Sequence, residues 1–288
     1  MGRYLMSVIM PITLTEALQA RSSIPSAQII AGGTDLMVEV NFNRRKLTDV
    51  ISLRKVESLT HWSVSPDGVS LTIGAGLPYA AMEHGTIAEL VPALAQAART
   101  VGSPQIRAAA TLGGNLGTCS PAGDGLPVLA ALDAIIHLQS STTQRDVPFH
   151  EFMIGVKRNI LAADELISGV TVPVLAGWQG YSKVGVRNAM VISVASACLV
   201  VDATGSTVRL ALGAVGQTIL RCRETETWFA SHHDISSVNP VPTTLAEEFG
   251  QRAAKEAKPI DDHRSTATYR RHAISILARR LMQQAYPS

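Results

Sequence analysis

Cysteine, aromatic residues and charge are all scarce in this chain of 288 residues. Its three cysteines, Cys119, Cys198 and Cys222, stand too far apart for a disulfide framework and are too few to ligate even one iron–sulfur cluster. Aromatic residues make up 5%, and no basic run is interleaved with them, which excludes a nucleic-acid surface. Charged residues account for 17% with a formal net charge of +2, so nothing marks the chain as a polyanion binder, while 46% hydrophobic content excludes disorder by composition. No stretch reaches the ~18 uninterrupted apolar residues of a membrane span. The apolar opening from Met1 to Met10 meets Pro11 without the cleavage site of an export signal. The expectation is a soluble, cytoplasmic chain, long enough for two domains at roughly 150 residues each.

What is present is an alternation of helical and strand-like segments, which predicts a mixed α+β protein. Thr13 to Ala20 suits a helix capped by Thr13 or Thr15; Gln28 to Ala31 and Val50 to Leu53 read as strands with a helix over Asp35 to Val40 between them. Ser63 to Gly74 reads as a hairpin about Pro66-Asp67-Gly68. A helix is predicted from Pro92 to Val101, a shaped loop over residues 102–127, a helix over Leu126 to Ala134, and strands over Ile135 to Leu138 and Leu166 to Val172. The Pro173 to Gly180 stretch marks a domain boundary. Beyond it, two strands (Met190 to Val201 and Thr207 to Ala214) and two helices (Thr244 to Lys255 and Thr268 to Gln284) make a smaller α+β unit.

Two glycine-rich turns carry the chemistry. In Ile30-Ala31-Gly32-Gly33-Thr34-Asp35-Leu36 a buried strand meets a helix. Glycines there let backbone N–H groups approach an anion, a phosphate-binding geometry; the same residues also suit a plain strand-to-helix turn capped by Thr34 or Asp35. Neither the GxGxxG spacing of a dinucleotide fingerprint nor the ending of a P-loop is present. The second segment, Thr111-Leu112-Gly113-Gly114-Asn115-Leu116-Gly117-Thr118-Cys119-Ser120-Pro121-Ala122-Gly123-Asp124, adds polar side chains for hydroxyls and carbonyls of a ligand. Two such segments in one chain point to a long bisphosphate cofactor that spans both.

Ala31-Gly32-Gly33-Thr34-Asp35, Thr111-Leu112-Gly113-Gly114-Asn115 and Ser120-Pro121-Ala122-Gly123-Asp124 together resemble the flavin motifs of the FAD-binding medium subunit of molybdenum hydroxylases, the family of xanthine dehydrogenase and carbon monoxide dehydrogenase. Gly102-Ser103-Pro104-Gln105-Ile106-Arg107, Gly213-Ala214-Val215 and Ser265-Thr266-Ala267-Thr268-Tyr269-Arg270-Arg271 extend the resemblance over essentially the whole chain. It implies a two-lobed FAD-binding domain of the vanillyl-alcohol oxidase (PCMH) type over residues 1–176, with lobes of about 1–56 and 57–176, and a C-terminal domain of the carbon monoxide dehydrogenase flavoprotein type over 177–288. By the same resemblance, Ile30, Ala31, Gly32, Gly33, Thr34 and Asp35 give backbone N–H groups to the FAD pyrophosphate, with Leu36 beside them, and Val101, Thr111, Gly113, Gly114, Asn115 and Thr118 line the rest. Asp124 accepts from a flavin hydroxyl, and its replacement by alanine is expected to weaken FAD binding with the fold intact. Leu166 and Lys183 lie near the isoalloxazine. The family implies a large molybdopterin-binding subunit and a small subunit with [2Fe-2S] clusters as partners, in a dimer of heterotrimers, with electrons leaving to an external acceptor. A self-contained flavin oxidase and a flavin-free structural subunit are the alternatives.

Val191 and Ile192 depart from the family, where many relatives carry an acid and some an aromatic, and Ile219 stands where proline is frequent. Cys119 reads as a small filler of its loop, since a lone thiol has no resolving partner. His232-His233 reads as part of a solvated loop, and Arg264, Arg270, Arg271, Arg279 and Arg280 as a solvated basic face.

Overall fold

A computed structural model describes residues 7–237 and 239–287. Met1 to Met6 of the apolar opening, Val238 and Ser288 lie outside them. The first lobe begins with β1 (Val8–Ile9) and the helix Leu14–Ser23. Thr13 caps that helix by a reciprocal pair, its hydroxyl accepting from the Glu16 N–H while the Glu16 carboxylate accepts from the Thr13 N–H. β2 (Gln28–Ile30) and β3 (Val50–Ser52) complete a three-stranded parallel sheet in the order β1-β3-β2.

The second lobe holds β4 (Trp62–Val64), β5 (Ser70–Gly74), β6 (Ile135–Gln139), β7 (Gln144–Pro148), a hairpin of β8 (Met153–Gly155) and β9 (Arg158–Asn159), and β10 (Leu166–Pro173). Its five-stranded antiparallel sheet runs β4-β5-β10-β6-β7, so the last strand of the lobe lies at the centre. A central strand is covered on both faces, which suits the nearly continuous apolar run of β10.

β11 (Gly177–Val184), β12 (Ala195–Asp202), β13 (Thr207–Gly213) and β14 (Leu220–Arg221) form the third sheet in chain order. Every residue of β12 is buried because both of its faces are covered. Ala195, Ala197, Leu199 and Val201 join the core made with the helices Thr243–Glu256 and Ala267–Ala285, whereas Cys198 and Val200 belong to the core of the second lobe. A smaller cluster of Ala17, Leu18, Val56, Leu59 and Leu166 ties the first lobe to the second. Among the described residues no helix is long and apolar enough to cross a membrane, and no group of three or more His, Cys, Asp or Glu could hold a metal ion.

Five expectations are corrected. Residues 102–127 are not one loop: they contain the helices Pro104–Ala109 and Leu112–Thr118, capped by the Ser103 and Thr111 hydroxyls. Gly177 and Gly180 belong to β11, so only residues 174–176 separate β10 from β11. The strand predicted from Met190 starts only at Ala195, because residues 185–193 form a loop. Of the histidine pair, His232 is exposed in a turn beside Trp228 as expected, whereas His233 is partly buried, packed against Phe229 and edge-on against Tyr286.

Arg270 is likewise not on a solvated face. It is 2% exposed and donates to Val194 O at 2.7 Å, Ala214 O at 2.8 Å and Asp262 Oδ1 at 2.6 Å. Burial works to raise the Asp262 pKa, but hydrogen bonds from Arg264, Arg270 and the Ser265 amide outweigh it and hold the carboxyl below the ordinary range. A carboxyl depressed in the folded state contributes stability above its unfolded pKa and loses it as pH falls through about 4 towards the folded value. Urea midpoints of Asp262→Asn and the parent chain should therefore converge as the pH is lowered from about 4 to 2, where the parent loses this contribution. A gap that stays constant over that window contradicts the assignment.

Candidate functional site

β2 ends at Ile30, and the chain turns through Ala31-Gly32-Gly33-Thr34-Asp35 into the helix Leu36–Asn41. Gly33 has φ +72, a left-handed conformation that favours glycine. Its carbonyl accepts from the Met37 N–H at 3.0 Å. The backbone N–H groups of residues 32 to 36 have no acceptor among the described residues. A run of unpaired amides needs an outside partner, either water or an anion. Asp35 stands at the N-cap position, but its side chain makes no capping bond. It accepts instead from Thr118 Oγ1 at 3.4 Å and lies 3.6 Å from Lys157 Nζ.

The second glycine segment lies directly against the first. A Cβ on Gly32 would come 1.8 Å from Ala109 O, and one on Gly114 would reach 4.0 Å from the Ala31 Cβ. The Thr111 hydroxyl accepts from the Gly114 N–H at 2.9 Å. Gly113 is a packing glycine, its N–H donating to Ala75 O at 2.8 Å and its Cα pressed on Ala75. Gly117 faces open space, with nothing within 4 Å of an added Cβ. Asn115 Oδ1 accepts from the Tyr79 hydroxyl at 2.9 Å, and its amide lies over Gly123, where a Cβ would be 2.8 Å from Nδ2. The Asn115 side chain is therefore part of the scaffold of this turn. Cys119 is buried and donates to Arg158 O at 3.3 Å, and burial pushes its thiol up to about 11, so it is inert at neutral pH.

A third group converges on Asp124. Its Oδ1 accepts from Tyr181 at 2.8 Å and Ser193 at 2.6 Å, and its Oδ2 accepts from Lys183 Nζ at 2.7 Å. The ion pair is enclosed, with side-chain exposures of 9% for Lys183 and 8% for Asp124. Lys183 also donates to Thr100 O at 2.8 Å and Val191 O at 3.2 Å. Val101 follows Thr100 at the end of the helix Pro92–Thr100, beside this group. Burial, followed by the Asp124 charge, pushes the Tyr181 phenol well above its ordinary pKa and keeps it a donor.

The residues named from sequence thus fall into two assemblies. Ile30 to Leu36 meet Gly114 and Thr118, with Thr111 capping the helix that carries both, while Asp124, Lys183 and Val101 gather around the buried ion pair. Leu166 belongs to neither, being 3% exposed in the cluster that joins the lobes. Sequence reasoning missed Tyr181, Ser193 and Tyr79. Tyr181 had a signal: two residues before Lys183 on one strand, it shares that residue's face of the sheet. Ser193 had none, because it meets Asp124 across 69 positions of sequence.

Residues 4–175 match the family model for the FAD binding domain in molybdopterin dehydrogenase, and residues 181–285 that for the CO dehydrogenase flavoprotein C-terminal domain. The nicotinate dehydrogenase FAD-subunit of Eubacterium barkeri is 38% identical over 193 residues, which span 64% of this chain and 64% of that protein. The xanthine dehydrogenase FAD-binding subunit of Escherichia coli O157:H7 is 25% identical over 280 residues, 95% of this chain and 93% of that one. In fold, a chain of quinoline 2-oxidoreductase from Pseudomonas putida 86 superposes with a TM-score of 0.88 over 99% of this chain and 98% of its own length, at 24% identity.

Proposed function

Because this chain belongs to the FAD-binding medium subunits of molybdenum hydroxylases, we propose that it carries one non-covalent FAD and passes electrons from the iron–sulfur clusters of a small partner subunit to an external acceptor. A large subunit would hold the molybdenum cofactor and oxidise the substrate, the three chains pairing as a dimer of heterotrimers in the cytoplasm. Residues 1–176 form the FAD-binding domain in this reading and residues 177–288 the C-terminal domain.

The observation that carries it is the contact between the two glycine turns beside the unpaired amides of residues 32 to 36. A pyrophosphate fits that row of donors, and no carboxylate bonds to it: Asp35 is turned towards Thr118 and Lys157. Ile30 to Leu36 bind the pyrophosphate through backbone N–H groups, and Thr111, Gly113, Gly114, Asn115 and Thr118 form the adjoining wall. Val101, Asp124 and Lys183 serve the flavin end, whereas Leu166 is enclosed in the cluster that joins the lobes. Bound FAD supplies the redox chemistry of the subunit. Asp124 has room to accept one more hydrogen bond from a hydroxyl, and Lys183 presents a cation to a ring carbonyl. No side chain of this chain needs to act as an acid or base.

Three dispersed and buried thiols leave the chain without the ligands of an iron–sulfur cluster. The purified chain should therefore be yellow, free of iron and molybdenum, and inactive towards purines, aldehydes, N-heterocycles and carbon monoxide. Adding the two partner subunits should restore substrate-dependent bleaching of the flavin absorbance. Steady turnover of such a substrate by the metal-free chain alone would replace this reading with that of a flavin oxidase.

A further inference from the structure

The loop between β11 and β12 exposes Val186, Met190 and Ile192 at 65%, 56% and 62%. Arg187 closes its tip, donating to Ala189 O at 3.1 Å and Met190 O at 2.6 Å. The body of the protein holds the C-terminal end of the loop by three side-chain bonds: Lys183 Nζ to Val191 O, Ser193 Oγ to Asp124 Oδ1, and Arg270 to Val194 O at the start of β12. The first two converge on a single carboxylate–ammonium pair.

The two halves of that pair differ in spare capacity. An ammonium has three protons, and Lys183 already spends them on Asp124 Oδ2 at 2.7 Å, Thr100 O at 2.8 Å and Val191 O at 3.2 Å. A further acceptor can enter only by displacing one of these. Asp124 is held by charge, and Thr100 O lies at the C-terminal end of a helix, where a cation is favoured. The bond to Val191 O is the longest, and its acceptor is a neutral loop carbonyl with no helix end behind it, so it yields first. Asp124, with three donors on its two oxygens, still has a lone pair free and can accept from a hydroxyl while giving nothing up.

We infer that the Lys183–Val191 bond is a release catch: a ligand oxygen that reaches Lys183 takes the proton held by Val191, and the 185–192 loop opens on binding. A ligand that touches only Asp124 leaves the loop closed. The inference rests on the FAD reading above, with a ring carbonyl as the arriving oxygen. Opening would free the segment that already exposes Val186, Met190 and Ile192, giving the electron acceptor a movable apolar surface beside the cofactor.

Trypsin cleavage after Arg187, followed by mass spectrometry on the full chain with and without FAD, tests this, with bound flavin quantified in the same samples. FAD is expected to speed that cleavage about fivefold, the population change that follows the loss of one hydrogen bond. Cleavage within Thr243–Glu256 and Ala267–Ala285 should not change. Ser193→Ala, which removes the second anchor, should raise the rate of the flavin-free protein towards that of the loaded one. Equal or slower cleavage in protein that holds its flavin refutes the catch and leaves the FAD assignment standing. Failure to retain flavin at all refutes both.

Discussion

Asp124→Ala destabilises the flavin-free chain by about 3–5 kcal/mol, as removal of one partner from a buried ion pair does. The Lys183 ammonium would be left 9% exposed with two carbonyls and no counter-charge, and the hydroxyls of Tyr181 and Ser193 would lose their common acceptor. Asp124→Asn, which keeps an acceptor oxygen but no charge, should fall between the parent and the alanine variant. Denaturant midpoints measured without FAD check this ranking. A midpoint for Asp124→Ala equal to that of the parent would return Asp124 to the role expected from sequence, a ligand residue whose loss leaves the fold intact. The prediction departs from that expectation because the carboxylate already has protein donors before any cofactor arrives.

The second large effect is expected at Gly32. A methyl group there would sit 1.8 Å from Ala109 O, and because the obstacle is backbone, no side-chain rotation relieves it. The first glycine turn must move away from the end of the helix Pro104–Ala109, which leads into the second turn, at a cost of about 1–3 kcal/mol or more for the overpacking. A cofactor bridging both turns then loses its geometry, so Gly32→Ala should raise the FAD dissociation constant by at least about tenfold, equivalent to about 1.4 kcal/mol. Gly117→Ala is the matched control: nothing lies within 4 Å of its added Cβ, so the fold should tolerate it. Isothermal titration with FAD, alongside thermal unfolding of both variants, separates the outcomes. Full FAD affinity in a folded Gly32→Ala protein would mean that the contact between the turns does not shape the site.

Elements whose signals are local were legible in the sequence. Thr13 and Glu16 cap the first helix within three residues of each other, and the Asp202 turn closes its hairpin through its own carboxylate, accepting from the Thr204 and Gly205 amides. The helices inside residues 102–127 were hidden because their glycines and prolines read as loop, although Ser103 and Thr111 are ordinary N-caps followed by helical turns. β11 was hidden because Gly177 and Gly180 look like linker, whereas Gly180 makes room for the Trp178 ring, which a Cβ there would meet at 2.1 Å. Arg270 read as one more charge on a basic helix, since nothing nearby in sequence announces the carbonyls of Val194 and Ala214.

The sequence by itself determined the mixed α+β class, the order of most elements, the two glycine turns and, through cysteine scarcity, the expectation that any iron–sulfur cluster is held by another chain. Each of these depends on residue type and short-range spacing, which a linear reading can see. Only the tertiary structure decided that the two turns touch, that β10 lies at the centre of its sheet, and that Asp124 and Lys183 form a buried pair shared with Tyr181 and Ser193. The contacts of Asp124 join residues 57 to 69 positions apart, and their strength comes from the exclusion of water around them, which exists only once the lobes and the third sheet have packed together.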